Sequence, residues 1–344
     1  MGSAYPRMRI TPSAPPVGSG NRSSLKPWFV VAVVFGCLAP ITGLAQDAPR
    51  FLDVQRQTNN EVQLKVVVPT GQVFRVEAAS ELSNWEPVVT VKSTSTNQIV
   101  DTAAPFLGRR FYRAISLDDT NALTGDHLVT LDGDVLIHPV NHASFVMKWK
   151  GLTIYNDPVG AASLYKGIPA ADLVLISHAH SDHFDTGTLT AIKQAGTLMV
   201  APAAVYTSLS TALKAITIPL AYGSSTNLLG LTIDTIPAYN SNHPKGTGNG
   251  YIVTIGGRRL YMSGDTGDIA EMKTITGIDV AFVCVNVPYT MTVNQAAAIV
   301  RIFQPKVVYP YHYKNADNSL ANLTSLKQLI GSDLGIEVRQ RKWY

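Results

Sequence analysis

The chain has 344 residues, 46% of them hydrophobic and 15% charged, which suits one large domain with a sizeable core plus a smaller one. Its formal net charge of +4 comes entirely from Arg7, Arg9, Arg22 and Lys26, because residues 1–45 hold no Asp or Glu and residues 46–344 balance at 24 basic and 24 acidic. A neutral body argues against nucleic acid as a partner.

Residues 1–26 are rich in Pro, Ser and Gly. An apolar run follows from Trp28 to Pro40, and Thr42-Gly-Leu-Ala45 puts small residues at −3 and −1. Basic, apolar and small-residue regions in that order are the layout of a secretory signal peptide. The expectation is a signal peptide over 1–45, cleaved after Ala45, on a secreted or periplasmic bacterial protein. The run is too short and interrupted for a comfortable membrane span, so no stable span remains after cleavage. A retained anchor ranks second. A lipoprotein anchored at Cys37 ranks third, because Phe35 fits a lipobox badly. Met8 is an alternative start. After cleavage Cys284 is the single remaining cysteine, so no intramolecular disulfide is expected, and it reads as a small core hydrophobe.

Residues 46–117 read as a small β-rich module. Glu61-Val-Gln-Leu-Lys-Val-Val-Val, Gln72-Val-Phe-Arg-Val-Glu-Ala and Arg110-Phe-Tyr-Arg-Ala-Ile alternate as strands do, with Pro69-Thr-Gly71 as a breaker. The segment holds no His or Cys, so no metal chemistry is expected there. Phe74 to Trp85 and the closing Arg109 to Arg113 resemble a β-sandwich-like module of exported bacterial proteins, which implies a spacer rather than a specific binding role. Residues 118–126 read as a linker.

From 127 to 344 strand-like and helix-like runs alternate. Strands are expected at 142–148, 151–156, 172–177, 231–238, 250–256, 258–263, 279–285 and 306–310. Helices are expected at 185–195, 202–214, 293–303 and 317–330. Strand pairs followed by βα units predict mixed sheets covered by helices, an α/β fold.

The chemistry concentrates in His178-Ala-His180-Ser-Asp182-His183, directly after the buried-type strand Leu173-Val-Leu-Ile-Ser. Loops at the carboxyl ends of strands are where open α/β sheets place their sites. In extended backbone, residues two apart project to one side, so His178 and His180 can grip one ion. Asp182 and His183 then turn toward a second position. Imidazole and carboxylate without thiolate suit Zn²⁺, Mn²⁺ or Fe²⁺. A polar loop with chance histidines is the bland alternative, and so dense a pattern leaves it little weight.

This run resembles the signature of the metallo-β-lactamase superfamily. Three further stretches match that family's pattern in order: Tyr155-Asn-Asp157-Pro, Tyr261-Met-Ser-Gly-Asp265-Thr and Tyr309-Pro-Tyr-His312-Tyr. The resemblance implies a four-layer αββα sandwich over 127–344. Asn141-His142-Ala-Ser-Phe, His243 to Tyr251 and Pro288-Tyr-Thr-Met291 are similar to the compact branch that includes the ascorbate-6-phosphate lactonase. The family's usual third histidine is replaced here by Asn240, in Pro237-Ala-Tyr-Asn240. His243 is assigned as the ligand, with the Asn240 carbonyl as the alternative.

The resemblance implies two divalent metal ions, Zn first and Mn or Fe as alternatives. His178, His180 and His243 would hold one, Asp182, His183 and His312 the other, and Asp265 would bridge them. Asp157 would support the metal loop. Two such ions lower the pKa of a shared water and generate hydroxide. Asp182 would handle protons. His142 reads equally as a catalytic donor at the pocket rim and as a structural histidine. Tyr289, Thr290 and Tyr311 are expected near the pocket, and Lys245 reads equally as an anion contact and as a solvated lysine. His127 and His138 read as ordinary surface or sheet residues.

The expected function is an exported dinuclear metal-dependent hydrolase of a small ester-type molecule, a lactone or phosphoester. A β-lactamase-type amide hydrolase is disfavoured by Asp265, which that group normally lacks. A redox di-iron relative and a nuclease lack their own signatures here. A surface-binding protein with a vestigial metal domain conflicts with a complete ligand set. The substrate and the oligomeric state are not readable from the sequence.

Overall fold

A computed structural model describes residues 29–32 and 48–344. The expected cleavage site after Ala45 and most of the expected signal peptide lie outside those residues. The piece Phe29–Ala32 is a strand paired in parallel with Arg109–Ser116.

Two large sheets face each other. The first has eleven strands and runs in space from Phe29–Ala32 through Arg109–Ser116, Val73–Ala79, Glu86–Lys92, Gly125–Val129, Asp134–Asn141, Ser144–Trp149, Leu152–Asn156, Ala171–Leu175 and Lys193–Ala201 to Thr217–Pro219. The second has seven: Ser225–Leu228, Leu231–Ala238, Gly248–Ile255, Arg258–Met262, Val280–Cys284, Val307–Tyr311 and Glu337–Val338. All eight strands expected after residue 127 are present within a few residues of their expected ends.

The strand sequences explain the layering. In Ser144–Trp149, Leu152–Asn156 and Ala171–Leu175 both faces are apolar, as strands buried on both sides require. Phe145, Ile154, Leu173 and Leu175 point into the core shared with the second sheet, against Ile233, Tyr251, Val253 and Phe282. Their neighbours Val146, Tyr155 and Val174 point the other way, into a separate cluster with Leu189, Ile192 and Val205 of the covering helices. Those helices are Thr186–Ile192, capped by the Asp185 side chain on the Thr188 amide, and Ala203–Ser208. The second sheet is covered by Val293–Phe303, which opens with a Thr292/Gln295 capping box, and by Leu323–Ile330. Ile299, Val300, Phe303, Leu326 and Ile330 face the core. Helix, sheet, sheet and helix give the four-layer αββα sandwich. The single helix expected at 202–214 is two short ones, the second being Thr211–Lys214, because Leu209 is extended between them.

The N-terminal strands Arg50–Arg56, Val62–Val67 and Thr96–Asp101 form a third sheet. It packs on the start of the eleven-stranded sheet around Leu64, Val66, Phe74, Val76 and Tyr112. The expected linker at 118–126 ends inside a strand. Asp126 and Gly125 pair with Val89 and Thr90, so one sheet runs unbroken from the module into the second half of the chain. Gly125 makes this join, because a Cβ there would lie 2.1 Å from the Ile137 carbonyl oxygen. Polar contacts reinforce it. Thr102 Oγ1 donates to Glu337 at 2.5 Å, and Lys327 pairs with Glu61.

Candidate metal centre

The first element of the site is the turn after Ala171–Leu175. Ser177 is buried there, and its amide and hydroxyl donate to Asp157 Oδ1 and Oδ2 at 2.6 and 2.7 Å. Asp157 follows the adjacent strand Leu152–Asn156 and is fully buried with a left-handed backbone, φ 41°. Its Oδ2 lies 2.8 Å from His183 Nδ1. One carboxylate thus fixes both ends of the run from 177 to 183 and turns His183 Nε2 inward. His142 and His312 also take left-handed backbone, with φ of 56° and 47°. Non-glycine residues rarely do so, and such strain clusters at functional sites.

Asp265 enters from the second sheet, just after Arg258–Met262. Gly264 before it has φ +59°, and a Cβ there would meet the Asn249 carbonyl at 3.0 Å. The Gly264 amide donates to Tyr311 Oη at 2.9 Å. Tyr311 therefore shapes this turn from inside the core, and does not line the pocket as its sequence position suggested.

The seven expected ligand residues converge. Three groups bring their ligand atoms within 4.8 Å of one another: His178, His180 and His243; His178, His183 and Asp265; and His142, Asp182, His183 and His312. Asp265 Oδ1 lies 3.2 Å from His183 Nε2 and 3.3 Å from His312 Nε2, and Oδ2 lies 4.0 Å from His178 Nε2. Among the described residues, His178 Nε2, His183 Nε2, His312 Nε2 and Asp265 Oδ1 are buried without a hydrogen-bond partner. Four inward-facing polar atoms left bare in one place is the arrangement a metal site requires, since burying them unpaired is otherwise costly.

Geometry distinguishes His243 from Asn240. His243 Nε2 lies 2.8 Å from His180 Nδ1, inside the first group. The Asn240 carbonyl oxygen already accepts the amides of Asn242 and His243, at 2.7 and 3.0 Å. Its Nδ2 lies 2.8 Å from His243 Nδ1 and donates to the Asp265 carbonyl at 3.1 Å. Asn240 thus braces His243.

Charge coupling across the cluster is strong. Burial alone would raise the Asp265 carboxyl, but His312 and His183 hold it well below the usual range. Burial likewise opposes charge on His183, and the carboxylates of Asp265 and Asp157 more than offset it. His178 is pushed well down by burial and by His183.

His142 is not a free donor at the rim. Its Nε2 lies 2.9 Å from Asp182 Oδ2, its Nδ1 2.7 Å from Tyr344 Oη, and its ring centre 3.8 Å from that of His312. Both nitrogens have protein partners, so His142 positions Asp182. Lys245 is paired with Glu271 and lies over Tyr222 and Tyr239, away from any anion role. His127 is buried between Thr90 and Asp134, and His138 bonds the Thr124 carbonyl. Tyr289 is exposed beside the site, whereas Thr290 bonds back to Asn286. Sequence reasoning missed Tyr344, Asn286 and Lys314, which lie far from the metal motif in the chain or carry no pattern.

A family model described as the Beta-lactamase superfamily domain matches residues 136–312. A UPF0173 metal-dependent hydrolase of Pyrococcus abyssi is 30% identical over 177 residues, 48% of this chain and 77% of the relative. One from Thermococcus kodakarensis is 32% identical over 179 residues, 49% of this chain and 79% of the relative. The chain belongs to the metallo-β-lactamase superfamily, among the UPF0173 metal-dependent hydrolases. Two solved structures are similar. That of a proposed metal-dependent hydrolase from Parabacteroides distasonis is 36% identical at TM-score 0.57, over 64% of this chain and 98% of the other. Igni18, a metallo hydrolase from Ignicoccus hospitalis, is 28% identical at TM-score 0.54, over 60% and 95%. As a UPF0173 member the chain is a metal-dependent hydrolase, and its His/Asp clusters fit that chemistry.

Proposed function

We propose that this chain is an exported dinuclear hydrolase that opens a lactone or cleaves a phosphoester. The observation that carries the two-metal reading is Asp265, whose carboxylate reaches His183 and His312 with one oxygen and His178 with the other. His178, His180 and His243 would hold one ion, and Asp182, His183 and His312 the second. The bound ions, Zn²⁺ by preference with Mn²⁺ or Fe²⁺ as alternatives, would act as Lewis acids and lower the pKa of water toward neutrality.

The chain's own residues set the geometry for hydrolysis. Asp182 is half-open, its side chain 46% exposed while those of His183 and His312 are closed off. It can orient an attacking water and pass a proton to the leaving group. His142, tied to Tyr344, holds Asp182 in place. The lactone or phosphoester choice is supported by the resemblance to the ascorbate-6-phosphate lactonase branch. Asp265 disfavours β-lactam hydrolysis, and the complete donor set disfavours a vestigial site. Export rests on the layout of residues 1–45.

The test joins metal analysis to a hydrolysis screen on one sample. Wild type is expected to carry close to two metal equivalents and to cleave a lactone, phosphodiester or phosphomonoester. His178→Ala should lose most of its metal. Full metal retention in that variant, or turnover of β-lactams alone, would overturn the reading.

A further inference from the structure

A groove of about 450 Å³ opens beside Asp182. The metal loop supplies Ser181 and Asp182, the turn after Val280–Cys284 supplies Asn286 and Tyr289, and the stretch after His312 supplies Lys314. Its lining mixes apolar surface from Val159, Tyr289 and Tyr344 with polar groups and few charges. Asp182 is its one acidic residue, and that carboxylate is already engaged by His142.

Lys314 stands out in this groove. Among the described residues its ammonium has no carboxylate partner, and it lies 6.0 Å from the ring centre of Tyr344. Its backbone is pinned. The Lys314 carbonyl accepts from Asn286 Nδ2 at 3.2 Å, and the residue pairs with Leu320 in a β-bridge. Lys314 is two residues beyond His312, so one short stretch carries both a candidate ligand and an unpaired cation into the site. Asn315 and Asn318 extend the groove with amides. An ammonium beside neutral amides, with no carboxylate of its own to neutralise it, suits an anion.

We infer that Lys314 binds an anionic group, a carboxylate or phosphate, on the part of the substrate that is not cleaved. The inference rests on the ester-hydrolase reading and narrows its substrate class to small anionic esters.

The test uses the metal-loaded full chain and two para-nitrophenyl esters, the neutral acetate and the carboxylate-bearing monosuccinate. Wild type should favour the monosuccinate in kcat/KM. In Lys314→Met the ratio of the two kcat/KM values should fall about tenfold, and in Lys314→Glu it should invert. An unchanged ratio in both variants overturns the inference. Titration calorimetry with succinate and with inorganic phosphate reads the same site without turnover. Each variant should bind the preferred anion about tenfold more weakly, and the tighter of the two anions in wild type identifies the group. Equal affinity in wild type and variants overturns the inference. If wild type hydrolyses neither ester, the titration alone decides Lys314, and the hydrolase reading stands or falls on the separate screen of lactones and phosphoesters.

Discussion

Asp157 Oδ2 lies 2.8 Å from His183 Nδ1, and neither side chain has any exposed surface. The carboxylate is shared, because it also holds the amide and hydroxyl of Ser177. It therefore sets the tautomer and the aim of His183 while anchoring the start of the metal loop. Outer partners of this kind typically contribute 10–100-fold in metal affinity, roughly. Asp157→Asn is expected to weaken metal binding by about that factor, measured by competition with a chromophoric chelator. Wild-type affinity in a folded variant would remove the role.

Asn240 and His243 separate a brace from a ligand. His243→Ala should cost about one metal equivalent. Asn240→Ala should keep the stoichiometry and lower affinity roughly 10–100-fold, as loss of an outer partner does. The check is metal content after dialysis together with a chelator titration. If Asn240→Ala instead lost a full equivalent while His243→Ala lost none, the assignment would be reversed.

Asp182 is expected to act on protons. Asp182→Asn keeps the shape and removes the basic carboxylate. Turnover should fall by about 10²–10⁴-fold, the usual share of general acid–base catalysis. Steady-state kinetics normalised to bound metal makes the measurement. Near-wild-type kcat per metal would dismiss the role.

Away from the site, Asp126 couples the module's sheet to the second half of the chain. Its carboxylate oxygens lie 2.9 and 2.8 Å from Arg341 Nε, and Tyr309 Oη donates to it at 2.8 Å. Burial works to raise this carboxyl, and Arg341 and Arg339 more than offset it, so it is held below its ordinary range. A depressed folded value means stability that is present above the unfolded pKa and lost as pH falls through the folded one. Asp126→Asn should cost about 3–5 kcal/mol at neutral pH, as breaking a buried pair does. The difference from wild type should shrink as the pH drops below about 4. Urea unfolding of the metal-free proteins from pH 7 to 3 tests both. A difference independent of pH would show that the charge is not what stabilises.

Gly264 permits the turn that delivers Asp265. Gly264→Ala places a Cβ at φ +59° and 3.0 Å from the Asn249 carbonyl, with Ser177 Cβ at 3.2 Å. Neither neighbour yields easily, since one is backbone and the other anchors the metal loop. The expected cost is about 1–3 kcal/mol with reduced metal content, read by thermal unfolding and elemental analysis. A variant matching wild type in both would show that the turn relaxes freely.

Much of this was legible in the chain because periodicity and local density carry it. The strands after residue 127 were marked by short apolar runs between breakers, and a buried strand cannot be polar on either face. His178, His180, Asp182 and His183 were legible because four potential ligands within six residues are hard to explain otherwise. The strands Asp134–Asn141, Lys193–Ala201, Thr217–Pro219 and Ser225–Leu228 were not seen. Lys193–Ala201 begins with four exposed residues and Ser225–Leu228 is polar but for its last residue, so neither shows a clean apolar pattern, and Thr217–Pro219 has three residues held by Met199 to Ala201. Only the last two residues of the linker expected at 118–126 lie in a strand, where Asp126 is fixed by its partners at Val89 and Ile137.

The sequence by itself determined the class of chemistry and which residues could carry it. It also determined the family, because ligand types and their spacing at strand ends are local properties. Only the tertiary structure decided how those residues are used. It set His243 into the first group and Asn240 behind it, tied His142 between Asp182 and Tyr344, moved Tyr311 into the core, and paired Lys245 with Glu271 while leaving Lys314 open to the groove. Each of those choices depends on which atom of one segment meets which atom of another far along the chain. Hydrogen-bond reach of about 3 Å is a condition that spacing in sequence does not fix.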